Sequence, residues 1–119
     1  MYAVKEIDSR RLTQWQHSGR SVRLIDVRSL NETARGVIQG AEWIPLHLLP
    51  MNVDLLAQTT TDVESLLLYC RSGARSHQAC AFLMQRGLMN VYNLKDGIIG
   101  WTSMGKTLVA LETKLLFAS

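Results

Sequence analysis

Three short apolar runs, at residues 22–27, 65–69 and 91–94, are separated by stretches that read as helices. Strands joined through helices cannot close as tight hairpins, so each connection must cross a face of the sheet and the strands pair in parallel. The middle run, Ser-Leu-Leu-Leu-Tyr at 65–69, lacks the alternation of a half-exposed strand and reads as a central strand covered on both faces. The predicted class is therefore α/β, with a central, mostly parallel sheet and helices on both faces. A chain of 119 residues that is 47% hydrophobic is long enough for one real core and too short for two, so residues 1–119 are read as one domain.

The helices have start and stop signals. Asp8 is placed to cap a helix over 9–17, with Ile7 and Leu12 as a hydrophobic staple and Gly19 as the stop. A short helix and a turn are expected within 31–40, then extended chain over 41–45. Pro45 is suited to open a helix through Leu49, and another helical segment is expected near 51–58. Ala79, Phe82 and Leu83 recur at helical spacing over 76–86, which Gly87 terminates. Asp96 and Gly97 form a turn or cap before a short helix over 98–104. Periodicity leaves 106–119 open between helix and strand. Trp15, Trp43 and Trp101 are expected to pack against the sheet, and the methionines to fill the core.

Composition narrows function by exclusion. The formal charge is +3, but the Lys and Arg residues are scattered, whereas a phosphate-backbone footprint needs them clustered on one face. No nucleic-acid partner is expected; a small anion or an acidic protein fits better. Cys70 and Cys80 are too few for a disulfide framework and lack the paired spacing of a zinc site, so no metal is expected and a reducing compartment is. No apolar run approaches the roughly 18 residues of a membrane span, and the first residues lack the apolar region of a secretory signal. The expectation is a cytoplasmic protein without a membrane segment.

Cys70 stands directly after the central strand. In open parallel sheets ligands bind at the carboxyl ends of strands, where the next helix presents unpaired amides and the positive end of its dipole. Gly73 tolerates positive φ, and Ser72 and Ala74 are small, so the amides after Cys70 are able to curl into an anion-binding nest between Arg71 and Arg75. Lowering a thiol by about two units from roughly 8.5 raises its thiolate fraction at neutral pH from about 3% to about 75%. A Brønsted slope of about 0.4–0.5 removes some 6- to 10-fold of that gain through weaker nucleophilicity. The larger benefit of such a loop lies in holding an anionic donor and stabilising charge that develops on displacement.

The strings Leu-Ile-Asp-Val-Arg at 24–28, Gly-Val-Ile-Gln-Gly-Ala at 36–41 leading to Ile44-Pro45, Tyr-Cys-Arg-Ser-Gly-Ala-Arg-Ser at 69–76, and Val-Tyr-Asn-Leu at 91–94 with Gly-Ile-Ile-Gly-Trp at 97–101 together resemble the rhodanese homology domain over about residues 5–105. The resemblance implies a sulfurtransferase in which Cys70 cycles between thiol and persulfide. Its donor would be a small sulfur-bearing anion such as thiosulfate, and its acceptor cyanide, a thiol or a carrier protein. Residues Arg71, Ser72, Gly73, Ala74, Arg75 and Ser76 would hold the substrate, and the chemistry calls for no cofactor. Asp26 and Arg28 match a strand-end pair read as structural support. Val37 stands where the family usually has histidine, and Asp96 where the first of two glycines is common.

Rival readings remain beside this one. The same loop would serve a persulfide carrier that depends on a partner protein. A cysteine phosphatase or arsenate reductase also uses a Cys…Arg anion loop, but with five intervening residues; here four separate Cys70 from Arg75, a ring better sized for a single sulfur than for a tetrahedral oxyanion. Cys80 reads as a core thiol, and His77 as a helix-surface residue rather than a base for Cys70. The expected outcome with a chromogenic phosphate ester is no appreciable Cys70-dependent turnover; turnover lost in Cys70→Ala would reverse the choice between sulfur and phosphate.

Overall fold

In the computed structural model, which describes residues 3–112, the chain runs β1 (Lys5–Ile7), α1 (Ser9–His17), β2 (Val22–Asp26), α2 (Leu30–Thr33), β3 (Glu42–Trp43), α3 (Leu49–Thr59), β4 (Ser65–Tyr69), α4 (Ala74–Gln85), β5 (Val91–Leu94) and α5 (Gly97–Ser103). The five strands form one sheet in the order β1-β5-β4-β2-β3, and every pairing is parallel. The α/β class expected from the alternating pattern is the one observed. Among the described residues no helix is long and apolar enough to cross a membrane.

The unbroken apolar run of β4 is explained by two cores, one on each face. Leu66, Leu68 and Cys70 pack with Leu49, Val53 and Leu56 of α3 and with Ala79, Cys80 and Leu83 of α4. Leu67 and Tyr69 point the other way, into Leu12 and Trp15 of α1 and Ile98 and Trp101 of α5. Successive side chains of a strand alternate between faces, so a strand roofed on both sides needs apolar residues at every position.

Local signals account for most boundaries. The Asp8 carboxylate accepts from the Arg11 amide at 2.8 Å, and Ile7 and Leu12 share one core, as a capped and stapled helix start requires. Pro45 opens only a 3-10 turn over Leu46–Leu48 before α3 begins at Leu49. Strand β1 was not anticipated: of its three residues only Ile7 is buried, too short a pattern to register as a period. Of the tail, Val109 makes an antiparallel bridge to Val37, with both amide–carbonyl bonds at 2.8 Å; residues 113–119 lie outside the described residues. The expectation for the methionines fails in part, since Met84 is buried but Met51 is 73% exposed, with Met89 and Met104 also exposed.

Tyr69 connects this core to the loop after α2. Its side chain is fully buried, and its hydroxyl accepts the Ile38 amide at 3.0 Å. Tyr69→Phe keeps the ring and leaves that buried N–H without an acceptor, a loss of about 1–3 kcal/mol. Urea unfolding should show a lower midpoint at unchanged slope; an unaltered midpoint would mean that another acceptor takes the amide.

Candidate active site

The chain leaves β4 at Tyr69 and turns through residues 70–73 into α4, whose N-cap is Gly73 at φ 99°. That positive φ is open to glycine and strained for other residues. Space imposes the same choice, since a Cβ on Gly73 would stand 2.5 Å from the Lys95 carbonyl oxygen. A Cβ on Gly97, also at positive φ, would collide with the Arg71 carbonyl. The loop is thus pressed against the start of α5, where Ile98 donates its amide to the Cys70 carbonyl at 2.9 Å and Ile99 donates to the Arg71 carbonyl at 3.2 Å.

With those carbonyls engaged from outside, the amides of the loop turn inward. Cys70 is 1% exposed, and its Sγ accepts from the Gly73 amide at 3.1 Å, the Ser76 hydroxyl at 3.4 Å and the Ser76 amide at 3.5 Å. Burial pushes the thiol up, while the Ser76 hydroxyl and the amides of Ser76, Ser72 and Gly73 pull it down; the donors prevail and Cys70 lies below its ordinary value. Cys80, fully buried in the same core, is pushed up to about 12, chiefly by burial. What separates the two thiols is the ring of donors. The amides of Ala74 and Arg75 have no protein acceptor among the described residues, which leaves donors for a second atom bound to the sulfur.

The two arginines are not equivalent. Arg71 is exposed, but the Arg75 guanidinium pairs with both oxygens of Glu32 at 2.7 and 2.8 Å, so its charge is largely matched. Glu32 also closes a capping box with Ser29 at the start of α2. Its carboxyl is held down at about 2, first by Arg75. Ser72 and Ala74 are exposed on the loop, whereas Ser76 is buried. His77 is exposed on α4 and touches the site only through its amide, which donates to the Gly73 carbonyl at 3.0 Å.

Asp26 and Arg28 form a buried bidentate pair, and Arg28 also donates to the Gly36 carbonyl at 2.7 Å. Neither hydrogen-bonds Cys70; they fasten the end of β2 to the loop before β3. The two departures from the expected pattern are packed into the fold. Val37 is buried beneath the Val109 bridge, and the Asp96 carboxylate accepts from the Ser9 amide and hydroxyl at the first turn of α1. A Cβ on Gly100 would strike that carboxylate. Beside Arg75, a largely apolar groove of about 510 Å³ runs past Leu30, Trp43, Pro45 and Leu46.

Sequence reasoning singled out Cys70 and its loop, and read Gly97 as part of a turn or cap without its contact to the loop, but passed over Glu32 and assigned Asn93 no role. The available signal for Glu32 was the Ser-x-x-Glu spacing at 29–32, which points to a capping box and carries no sign of a second partner. Asn93, a polar side chain inside an otherwise apolar strand, was the available signal for a buried hydrogen-bond role.

Comparison with known proteins places these features in context. The Rhodanese-like domain family matches residues 8–104. A sulfurtransferase of Allochromatium vinosum is 43% identical over 109 residues, covering 92% of this chain and 98% of that protein. YrkF of Bacillus subtilis, a relative named for sulfur carriage, is 30% identical over 105 residues, 88% of this chain and 54% of its own. The solved structure of a human single-domain sulfurtransferase superposes with a TM-score of 0.73 at 27% identity, covering 85% of this chain and 97% of that one.

Gly73→Ala must displace the loop from Lys95 or rotate its amide off the sulfur. Alkylation of Cys70 by iodoacetamide at neutral pH should slow by about tenfold or more, and an unchanged rate would show that the amide is dispensable. The Glu32–Arg75 pair carries its own signature. Because the folded carboxyl lies at about 2 against an ordinary 4.5, its contribution to stability is present above pH 4.5 and fades as pH falls toward 2. In urea unfolding, the advantage of the wild type over Glu32→Gln should therefore shrink across that window; a constant difference would assign the loss to packing.

Proposed function

The chain belongs to the rhodanese-like domain family of sulfurtransferases, and from that membership we propose that Cys70 carries a sulfane sulfur as a persulfide between a small anionic donor and a thiophilic acceptor. The observation that carries the reading is the convergence of the Gly73 and Ser76 amides on one buried sulfur. Such donors stabilise an anionic sulfur without reorganising during the reaction.

With thiosulfate as donor, the Cys70 thiolate attacks the sulfane sulfur; the Sγ–S bond forms as the bond to the sulfonate sulfur breaks, and sulfite leaves with the electron pair. The negative charge then rests on the outer sulfur. The amides of Ala74 and Arg75, which lack protein acceptors among the described residues, are donors suited to hold it, beside those of Arg71 and Ser72. Exposed Arg71, which has no ion-pair partner among the described residues, supplies the positive charge that draws in an anion, while Arg75, matched by Glu32, orders the loop more than it attracts. An acceptor thiolate or cyanide finally attacks the outer sulfur, and Cys70 departs as thiolate. This reading needs neither metal nor organic cofactor, and it suits a reducing cytoplasm that keeps both cysteines as thiols.

The carrier alternative has support in the relative named for sulfur carriage. Both readings are tested by intact mass spectrometry. Treatment with thiosulfate should add the mass of one sulfur atom, lost on addition of cyanide and absent in Cys70→Ser. An adduct formed only with a persulfidated partner protein would select the carrier, and no adduct with any sulfane donor would defeat both. In steady-state assays Arg71→Ala should raise KM for thiosulfate several-fold with little change in kcat; an unchanged KM would remove Arg71 from donor binding.

A further inference from the structure

The Ser76 hydroxyl has one proton and three acceptors around it: Asn93 Oδ1 at 2.5 Å, the Gly73 carbonyl at 3.3 Å and Cys70 Sγ at 3.4 Å. The Gly73 carbonyl is already filled, since it accepts from the His77 amide at 3.0 Å and from Asn93 Nδ2 at 3.1 Å. The contest is therefore between Asn93 and the sulfur. Asn93 cannot turn to avoid it. Its Nδ2 also donates to Glu6 Oε2 at 2.8 Å, and a carboxylate and a carbonyl only accept, so the amide nitrogen must face them and Oδ1 must face Ser76.

We infer that Asn93, locked in orientation by Glu6 and the Gly73 carbonyl, is a positioning residue that withholds the Ser76 proton from Cys70 and so restrains ionisation of the thiol. With Cys70 protonated, its S–H is free to point at the Ser76 oxygen, and the Ser76 proton lies between Oγ and Oδ1. With Cys70 ionised, that proton must swing to Sγ, leaving Oδ1 of a buried Asn93 without a donor. In a persulfide the charge sits on the outer sulfur, so Sγ makes no such demand and the Ser76–Asn93 bond stays. The Ser76–Asn93 bond thus works against the bare thiolate and in favour of the resting thiol and the loaded persulfide, opposing the amides that hold the sulfur down. The charged or titratable groups around the sulfur are Arg71 and Arg75 of the loop, Glu32 of α2 on Arg75, Asp26 at the end of β2, Glu6 of β1, Lys95 after β5, and Cys80 and His77 of α4; among the described residues none of their side chains hydrogen-bonds it.

The inference deepens the proposed sulfur transfer, but its test needs no sulfur donor, so the two can fail separately. The readout is the pH dependence of iodoacetamide alkylation at Cys70, located by peptide mass. Asn93→Leu keeps the volume and removes the competitor, so the midpoint should fall by about one unit, roughly tenfold more thiolate below the midpoint. A merely structural role predicts the reverse, because a loosened loop withdraws its amides and the midpoint climbs. Glu6→Ala, at an exposed position, removes one of the two acceptors that hold the Asn93 amide and leaves the Gly73 carbonyl as the other, so it should shift the midpoint the same way but by less. In a Ser76→Ala background both shifts should vanish, since the proton at issue is gone. Shifts that persist there would assign them to lost charge or general loosening and overturn the inference, as would an unchanged or raised midpoint in the single variants.

Discussion

Ile98 and Ile99 donate their amides to the carbonyls of Cys70 and Arg71, and the geometry of the site follows from those two bonds. A loop that turns its N–H groups inward must turn its carbonyls outward, and in a buried setting those carbonyls need partners. The first amides of α5 are such partners, because a helix begins with donors that its own backbone cannot satisfy. One unsatisfied end completes another. Gly97 makes the approach possible, since any side chain there would strike the Arg71 carbonyl.

The architecture was legible where one periodicity persisted over several residues. The run at 65–69 declared a strand covered on both faces, and α1 declared its cap, its staple and its stop. Strand β1 was not legible, because a three-residue edge strand with one buried side chain carries no period. The position of Cys70 was read from chain order alone, since a cysteine between a buried strand and a glycine-containing turn has few other places to stand. The pairing of Arg75 with Glu32 was not available that way. It joins residues 43 positions apart, and only the crossing of α2 over the loop brings them together.

Asp96 shows how a partly buried contact accommodates a charged side chain. The Asp96 carboxylate reaches the first turn of α1, where the Ser9 amide and hydroxyl donate to it and where the helix has no acidic residue of its own. Room for that carboxylate comes from Gly100, one helical turn onward. The position thereby serves as a tie between two helices on the same face of the sheet.

The sheet ends on one side in β1, three residues long, and on the other in β3, two residues long. Edge strands offer unpaired backbone groups to any other extended chain, and long flat ones invite aggregation. These edges are too short to template such growth, and Lys5 and Glu6 place opposite charges along one of them. Among the described residues the sheet therefore gives neighbouring copies little backbone on which to assemble.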